Sequence, residues 1–501
     1  MNSKIIFWIN DDLSSLGLSK ILQEKYNFDI YAILDIADKK KKFFQKQQLI
    51  KFSKIWFFHD HIQKSKSPDI GFLKSFEEKY KVNLWLLAYN ERFFNDFNQF
   101  YKFSTNEILS ILEQECKLFE KILDEIRPTF LLTGITVLHY HHIFYKICKA
   151  RGIKILMMRP SYLAGKHIIS NAIDTFDNQQ HASSYHFNDI TELQNFLKKY
   201  NATVQAKTHL SKYQRSKLDY LKAALYFLFS SNSNIKTHYT YYGRSKFAVL
   251  KSMVIYELKT RYRKYFIDKN LSHDLEDKKP SIYLPLHIEQ ERSLLIAAPF
   301  YTNQLEMIKN IAKSLPVGYI LYVKEHPVQI LRGWRPISDY KQIMNLPNVR
   351  LIHPSIKSDD VIKKSSLTIS IGGTACVEAA FHNKPSIIFT DQDYSILPSV
   401  HKINTISELP NAIKTSLKKE VHMSDLNNYI NLVVANSFEL DTFYLSAIFD
   451  NYFHFSGFLV DVEIPIEKMK FYLEQTEQAM EKLATECVKK IQQHEHSTST
   501  L

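Results

Sequence analysis

The chain has 501 residues, 45% of them hydrophobic, and a formal net charge of +13 at pH 7. That is more apolar material than one core holds, since single cores stop growing near about 250–300 residues, so two domains are expected. Four dispersed cysteines without a CxxC pair argue against a disulfide framework or a zinc site, and the basic balance favours an acidic contact: a phosphorylated small molecule, an anionic membrane or nucleic acid.

In chain order, MNSKIIFWINDDLSS has too short an apolar run for a signal peptide, and KIIFWIN (4–10) reads as a strand. SSLGLSKILQEKY (14–26) reads as a helix and DIYAILD (29–35) as the next strand. TFLLTG (129–134), HHIFYKICKARG (141–152) and KILMMRP (154–160) repeat strand, helix, strand. This alternation predicts a parallel sheet with helices on both faces and ligands at the C-terminal ends of its strands. From about 197 to 278 the pattern turns to long helices rich in Lys, Arg and Tyr, such as KSMVIYELKTRYRKYF (251–266). LKAALYFLF (221–229) is too short for the ~20 apolar residues of a membrane span and reads as a buried or surface-lying helix. SIYLPLH, SLLIAAP, GYILYVKEHP, VRLIHP, LTISIGG and PSIIFTD then read as successive strands between 281 and 391, a second Rossmann-like unit. Helices return over about 424–490, and QQHEHSTSTL is a polar tail expected to fray. The expected division is 1–195, 196–280, 281–423 and 424–501.

Three places carry candidate chemistry. In ISIGGTACVEAAFHNKPSIIF (369–389) an apolar strand stops at Gly372 and Gly373 and restarts as a helix, with Thr374 as the expected cap and Asn383 in the left-handed conformation at its end. Bare backbone and free amides there suit a phosphate, and Glu378 suits ribose hydroxyls; the alternative is a glycine turn with a solvated carboxylate. In YVKEHP (322–327), His326 precedes proline and should leave the strand extended, beside Lys324 and upstream of Arg332 and Arg335, which can stabilise a diphosphate or a sugar acid. PLHIEQERS (285–293) and APFYTNQ (298–304) contribute His287, Glu289 and Glu291, with Thr302 placed to start a helix. Asp11 and Asp12 follow the first strand, where a general base is expected, and suit helix capping and dipole complementarity better.

The ordered series PLHxxxExS, YTNQ, LYVKEHP, LPNVRLIHP, ISIGGTACVEAAFHNKPSIIF and DY resembles the bacterial capsular polysaccharide synthesis glycosyltransferases, a group that includes Kdo transferases, over roughly residues 281–410. The glycine turn with its Glu is also similar to non-hydrolysing UDP-N-acetylglucosamine 2-epimerases. The resemblance implies a GT-B-like α/β fold of two Rossmann-like domains facing across a cleft, with additional helical segments. It implies that His326 and the Gly373-Thr374 turn bind nucleotide phosphates and that Glu378 contacts the ribose or base. Gln290 and Asn383 stand where relatives have proline and glycine, departures that bear on substrate identity.

The leading expectation is a metal-independent glycosyltransferase without a cofactor. Residues 1–195 serve as acceptor domain, 196–280 as basic connecting region and 281–423 as nucleotide-sugar domain. His326 and Asp12 are the catalytic candidates; Lys324, Gly372, Gly373, Thr374, Glu378, His287, Glu291, Thr302, Arg332 and Arg335 are the substrate-binding ones; no metal ligands are assigned. The expected partners are a CMP- or UDP-linked sugar donor and a glycan or glycolipid acceptor. Between 236 and 269 the cations Lys236, Arg244, Lys246, Lys251, Lys259, Arg261, Arg263, Lys264 and Lys269, with Tyr and Phe interleaved, suit an anionic membrane surface as well as a solvated face. Nucleic acid is not expected, because no recognition module is present. The expected location is the cytoplasm, with peripheral contact at the inner face of the cell membrane. The alternatives are a nucleotide-sugar 2-epimerase and a non-catalytic assembly protein of glycan synthesis.

Overall fold

The computed structural model describes residues 3–64, 67–95, 97–179, 184–200, 216–230, 232, 234–275 and 278–499. The first sheet takes β1 Lys4–Asn10, β2 Asp29–Asp35, β3 Lys54–Phe57, β4 Phe130–Thr133, β5 Lys154–Pro160 and β6 Lys166–Ser170. The second takes β7 Ser281–Pro285, β8 Ile320–Lys324, β9 Val349–Ile352, β10 Leu367–Ser370, β11 Ser386–Ile388 and β12 Val400–Lys402. A last strand, β13 Ser437–Glu439, returns to the first sheet beside β6, giving the order β13-β6-β5-β4-β1-β2-β3 against β12-β11-β10-β7-β8-β9 in the second. All pairings of the second sheet are parallel, and in the first only β6 is reversed, pairing antiparallel with both β5 and β13. These are the two Rossmann-like units of a GT-B-like α/β fold.

The alternation of side chains along β1 explains why its run is apolar throughout. Ile5, Phe7 and Ile9 enter one core, while Ile6 and Trp8 enter the core on the other face. The chain leaves β1 toward β2 and β3, then restarts on its other side at β4, which opens a crevice at the C-terminal ends of β1 and β4. The same reversal separates β7 from β10 in the second sheet.

The C-terminal helix Ile466–Ser499 packs back onto the first sheet, where Met469, Tyr472, Met480 and Leu483 share a core with β1 and β2. The approach is close: a Cβ on Gly17 would stand 2.7 Å from Met480 Cγ.

Three elements differ from expectation. SLLIAAP is no strand: Arg292–Leu295 is a short helix with Leu294 and Leu295 buried, because a brief apolar run has no periodicity that separates strand from buried helix. The helix after APFYTNQ is Gln304–Ser314, capped by Asn303, whose side chain accepts from Glu306 N at 3.2 Å, so Thr302 lies before the cap. The last helix continues through Ser499, into the stretch read as a frayed tail; residues 500–501 lie outside the described residues. LKAALYFLF falls within the helix Lys217–Phe229 and lies on the surface, with Ala223 its buried residue. No helix among the described residues is long and apolar enough to cross a membrane.

Candidate functional site

At the C-terminal edge of the second sheet, β10 runs into the glycine pair. Neither glycine has a positive φ, so the turn itself does not require them. What requires them is the approach of the protein's own side chains. A Cβ on Gly372 would stand 2.3 Å from Thr390 Oγ1 and 2.8 Å from Gln392 Nε2; one on Gly373 would meet Ser370 Oγ at 3.0 Å and His287 Cε1 at 3.1 Å. Ser370 Oγ accepts from Gly373 N at 3.0 Å and lies 3.1 Å from His287 Nε2, while the Tyr394 hydroxyl donates to Gly373 O at 2.6 Å. The space that a Cβ would take at either glycine is occupied by the protein's own side chains.

Thr374 does not cap the helix Ala375–Ala380 with its side chain; its hydroxyl donates to Glu378 Oε1 at 2.8 Å. Asn383 adopts φ 57°, the left-handed conformation its position implied. Burial pushes the Glu378 carboxyl up, with Asp359 adding to the rise and the Thr374 hydroxyl, His382 and Lys324 opposing it.

β8 delivers Lys324 buried at its end, where Nζ donates to Ser358 Oγ at 2.9 Å; burial lowers its pKa and the field of Glu378 resists. His326 is extended, φ −66° and ψ 128°, as a residue before proline should be. Its Nδ1 accepts from Val328 N at 3.2 Å and so caps the short helix Pro327–Arg332. Burial drives His287 down to about 4, assisted by the charges of His326 and Arg335, so this imidazole is neutral at neutral pH.

Arg335 is the clearest correction. Its guanidinium is buried and spent on the protein: Nε donates to Glu325 Oε2 at 2.7 Å, Nη2 to His287 O at 2.7 Å, and Nη1 pairs with Glu289. It holds three strand-end segments together rather than waiting for a diphosphate. Arg332 and Glu291 are exposed, and Glu291 shares its field with Arg332 and with Arg92 of the first domain.

The two sheets meet through these edges. Arg159 Nη1 pairs with Asp393 Oδ2 at 2.8 Å and Asn90 Nδ2 donates to Pro299 O at 3.0 Å, each across the domains. One inter-domain cavity of about 530 Å³ brings Tyr89, Asn90 and Glu91 against Glu289, Thr302, Gln304 and Arg335. A second, of about 390 Å³, sets His142, Lys146, Lys149 and Asp174 against Arg292, Thr390, Gln392 and Lys402. Thr390 and Gln392 are the side chains that close over Gly372, so this cationic cavity adjoins the glycine turn. Arg292 Nε is buried there without a hydrogen-bond partner, and burial lowers its pKa. Arg292 lay inside the quoted PLHIEQERS, and Lys146 and Lys149 stand three apart on the helix His139–Ala150; that spacing was the available signal for a cationic wall.

At the edge of the first sheet, Asp11 pairs with buried Lys40 at 3.2 Å and accepts from Ala37 N at 2.9 Å. Asp12 is exposed, and its charge acts on His454 and Tyr472 of the C-terminal helices. A cavity of about 250 Å³ at this edge is lined by Asp11, Asp35, His59, Tyr140, His238 and Arg244, with Asp12 outside its lining. Among the described residues no group of three or more His, Cys, Asp or Glu side chains is placed to hold a metal ion.

The family described as capsule polysaccharide biosynthesis protein matches residues 161–433, more than half of the chain. No curated protein matches it. Solved structures similar to it include KpsC of Thermosulfurimonas dismutans, a beta Kdo 2,7 transferase, at 10% identity and TM-score 0.31 over 72% of this chain and 89% of that one. The UDP-GlcNAc 2-epimerase of Methanocaldococcus jannaschii in complex with UDP-GlcNAc and UDP is similar at 13% identity and TM-score 0.25, over 87% and 99% of the two chains. The glycotransferase of kitacinnamycin is similar at 11% identity and TM-score 0.27, over 89% and 97%. Likenesses of this size add nothing to the fold read from the strands themselves.

Proposed function

The chain belongs to the capsule polysaccharide biosynthesis protein family, and on that premise we propose that it is a glycosyltransferase of surface-polysaccharide assembly, moving a sugar from a CMP- or UDP-linked donor to a growing glycan or glycolipid. The observation that carries this reading is the facing of two strand-end edges across cavities, with cations on both walls beside the glycine turn. In this reading 281–423 holds the donor and 1–195 the acceptor, with 196–280 connecting them and 424–501 supporting the first. Arg292 and Lys324 neutralise the charge that grows on the leaving phosphate, His326 donates a hydrogen bond to it, and Glu378 takes ribose hydroxyls. No metal is required for that step when fixed cations supply the charge.

The test is product analysis with a panel of CMP-, UDP- and GDP-sugars. Transfer supports the reading; epimerisation of the donor, or binding without turnover, overturns it. The nucleotide itself is named by thermal denaturation, since a ligand at 100 times its Kd stabilises by about 2.7 kcal/mol.

The same reading places the protein peripherally at the inner face of the cell membrane. Leu218, Leu221, Leu225 and Phe229 recur along one side of the helix Lys217–Phe229, all exposed, and Phe247, Val254, Leu258, Tyr262 and Tyr265 are exposed along the helix Lys246–Asn270. Exposed Lys251, Lys259, Arg261, Lys264 and Lys269 accompany them, although Arg261 and Lys264 also pair with Glu257 and Asp268. Apolar side chains beside cations fit an anionic leaflet, each cation being worth about 1 kcal/mol near its surface. Sedimentation with vesicles at low salt checks this: binding that ignores the anionic lipid content overturns it.

A further inference from the structure

The edge of the first sheet holds a cluster that the donor side does not use. β2 ends at Asp35 and β3 leads directly into His59, so two residues 24 apart in the chain come together, His59 Nε2 lying 2.9 Å from Asp35 Oδ1. The Tyr140 hydroxyl donates to the other carboxylate oxygen at 2.9 Å. Burial alone would raise the Asp35 carboxyl; the bonds from His59 and Tyr140 outweigh it and hold the pKa below the usual range. In the neutral imidazole that a base requires, an Nε2–H donated to the ionised Asp35 leaves the lone pair on Nδ1. Nδ1 is buried and has no hydrogen-bond partner. His238 stacks on the imidazole at 3.8 Å between centroids, 17° from parallel, and is itself bonded to Asp38 at 3.2 Å, so the ring plane is fixed.

The cavity beside this pair has the chemistry of a sugar site: carboxylates at Asp11 and Asp35 for hydroxyl groups, and Tyr241 for the apolar face of a ring. Arg244, whose guanidinium lies over Phe100 and Tyr241, adds a second buried atom without a partner, Nε. The cavity also neighbours the domain interface. Phe93 lines it while Glu91 lines the larger inter-domain cavity, and the fields of Asp35 and of Arg292 both reach His141.

We infer that this cavity receives the acceptor sugar and that His59 is the general base of the transfer, with Asp35 as its positioning residue. The inference rests on the glycosyltransferase reading and completes it at the acceptor side. In the step, the acceptor O–H bond breaks and its proton passes to His59 Nδ1. The acceptor oxygen bonds to the anomeric carbon of the donor. The bond from that carbon to the nucleotide phosphate breaks, and its electron pair leaves on the phosphate oxygen.

The test uses the full chain with CMP-, UDP- and GDP-sugars as donors and a panel of alkyl glycosides as acceptors. His59→Gln should slow transfer by about 10²- to 10⁴-fold, the range of general acid–base catalysis, with CMP and UDP affinity unchanged by calorimetry. Asp35→Asn should slow transfer as well, and ¹⁵N NMR of the His59 ring should show the proton moved from Nε2 to Nδ1, a change that a purely structural role for Asp35 would not require. In the unsubstituted protein the acceptor glycoside should perturb the His59 resonances, a measurement that does not depend on how well a variant folds. Wild-type rates in His59→Gln, or His59 resonances indifferent to a glycoside that is being turned over, overturn the inference and leave the glycosyltransferase reading intact. Absence of transfer to every acceptor by a protein that binds or epimerises the donor overturns that reading and this inference with it.

Discussion

The two strand-end edges that face each other are built on opposite principles. At the second sheet most of the candidate side chains are committed to one another: Arg335 to Glu325, Glu289 and His287 O, Lys324 to Ser358, Ser370 to Gly373 and His287, and buried atoms without partners there, such as Gln329 Oε1, Trp334 Nε1 and Thr368 Oγ1, belong to residues outside the inter-domain cavities. At the first sheet, and at Arg292 in the cavity between the two, buried nitrogens are left without partners: His59 Nδ1, Arg244 Nε and Arg292 Nε. At the second edge Arg335, Ser370 and the glycine pair form a frame, and the unpartnered atoms on residues that line the cavities at the first edge and beside the glycine turn belong to Arg292, His59 and Arg244. A buried polar atom without a partner costs about 1–3 kcal/mol, so it is the costly feature that calls for an explanation.

Arg335 gives the largest expected effect and the sharpest way to break this contrast. Arg335→Ala leaves the buried Glu325 without its cation, bonded only by the Tyr340 hydroxyl and His326 N, and should destabilise by about 3–5 kcal/mol in urea unfolding. If stability holds while nucleotide affinity falls, Arg335 is a ligand after all and the edge is not a closed frame.

The next effect is a pH window with one limb from each edge. Folding holds His287 near 4 against an ordinary 6.5, so the unfolded chain binds the extra proton and stability falls as pH drops from 6.5 toward about 4. His139 is the reverse case. Burial opposes its charge, but Glu115 and Glu91 raise it to about 9, so its contribution is complete below 6.5 and is lost as pH rises through 9. Each limb is on the order of 3 kcal/mol at 1.36 kcal/mol per unit. Histidine-resolved NMR titration should find His287 neutral and His139 charged at pH 7; matching titrations near 6.5 would contradict the assignment.

Gly372→Ala should cost about 1–3 kcal/mol by overpacking, because Thr390 must move off the new Cβ and its hydroxyl is held by Ile371 O at 3.0 Å. An unchanged melting temperature would mean that the space at the turn is free for a ligand. His326→Ala removes a cap, worth about 0.5–2 kcal/mol. If His326 also donates to the leaving phosphate, nucleotide affinity falls by about tenfold to a hundredfold in calorimetric titration. Loss of stability alone would confine His326 to the frame.

The legibility of the molecule follows the same line. β1, β2 and β5 match KIIFWIN, DIYAILD and KILMMRP residue for residue, because a strand buried on both faces must be apolar along its whole length. Asn383 and the extended His326 were legible because each is a local backbone requirement. The Asp35, His59, Tyr140 and Arg244 cluster was not, because its members come from four separate stretches and only the strand order places them together. SLLIAAP misled for a related reason: whether a short apolar run becomes strand or helix is decided by the surface it packs on.

The central claim is that the second edge holds the nucleotide and the first holds the acceptor. Amide hydrogen exchange of the full chain tests it most directly, with CMP or UDP added alone and then with an acceptor glycoside. The account predicts that the nucleotide slows exchange at 285–292, 322–328 and 370–378 and leaves 35–38 and 57–61 unchanged until the glycoside is added. Protection of 35–38 and 57–61 by the nucleotide alone would contradict it.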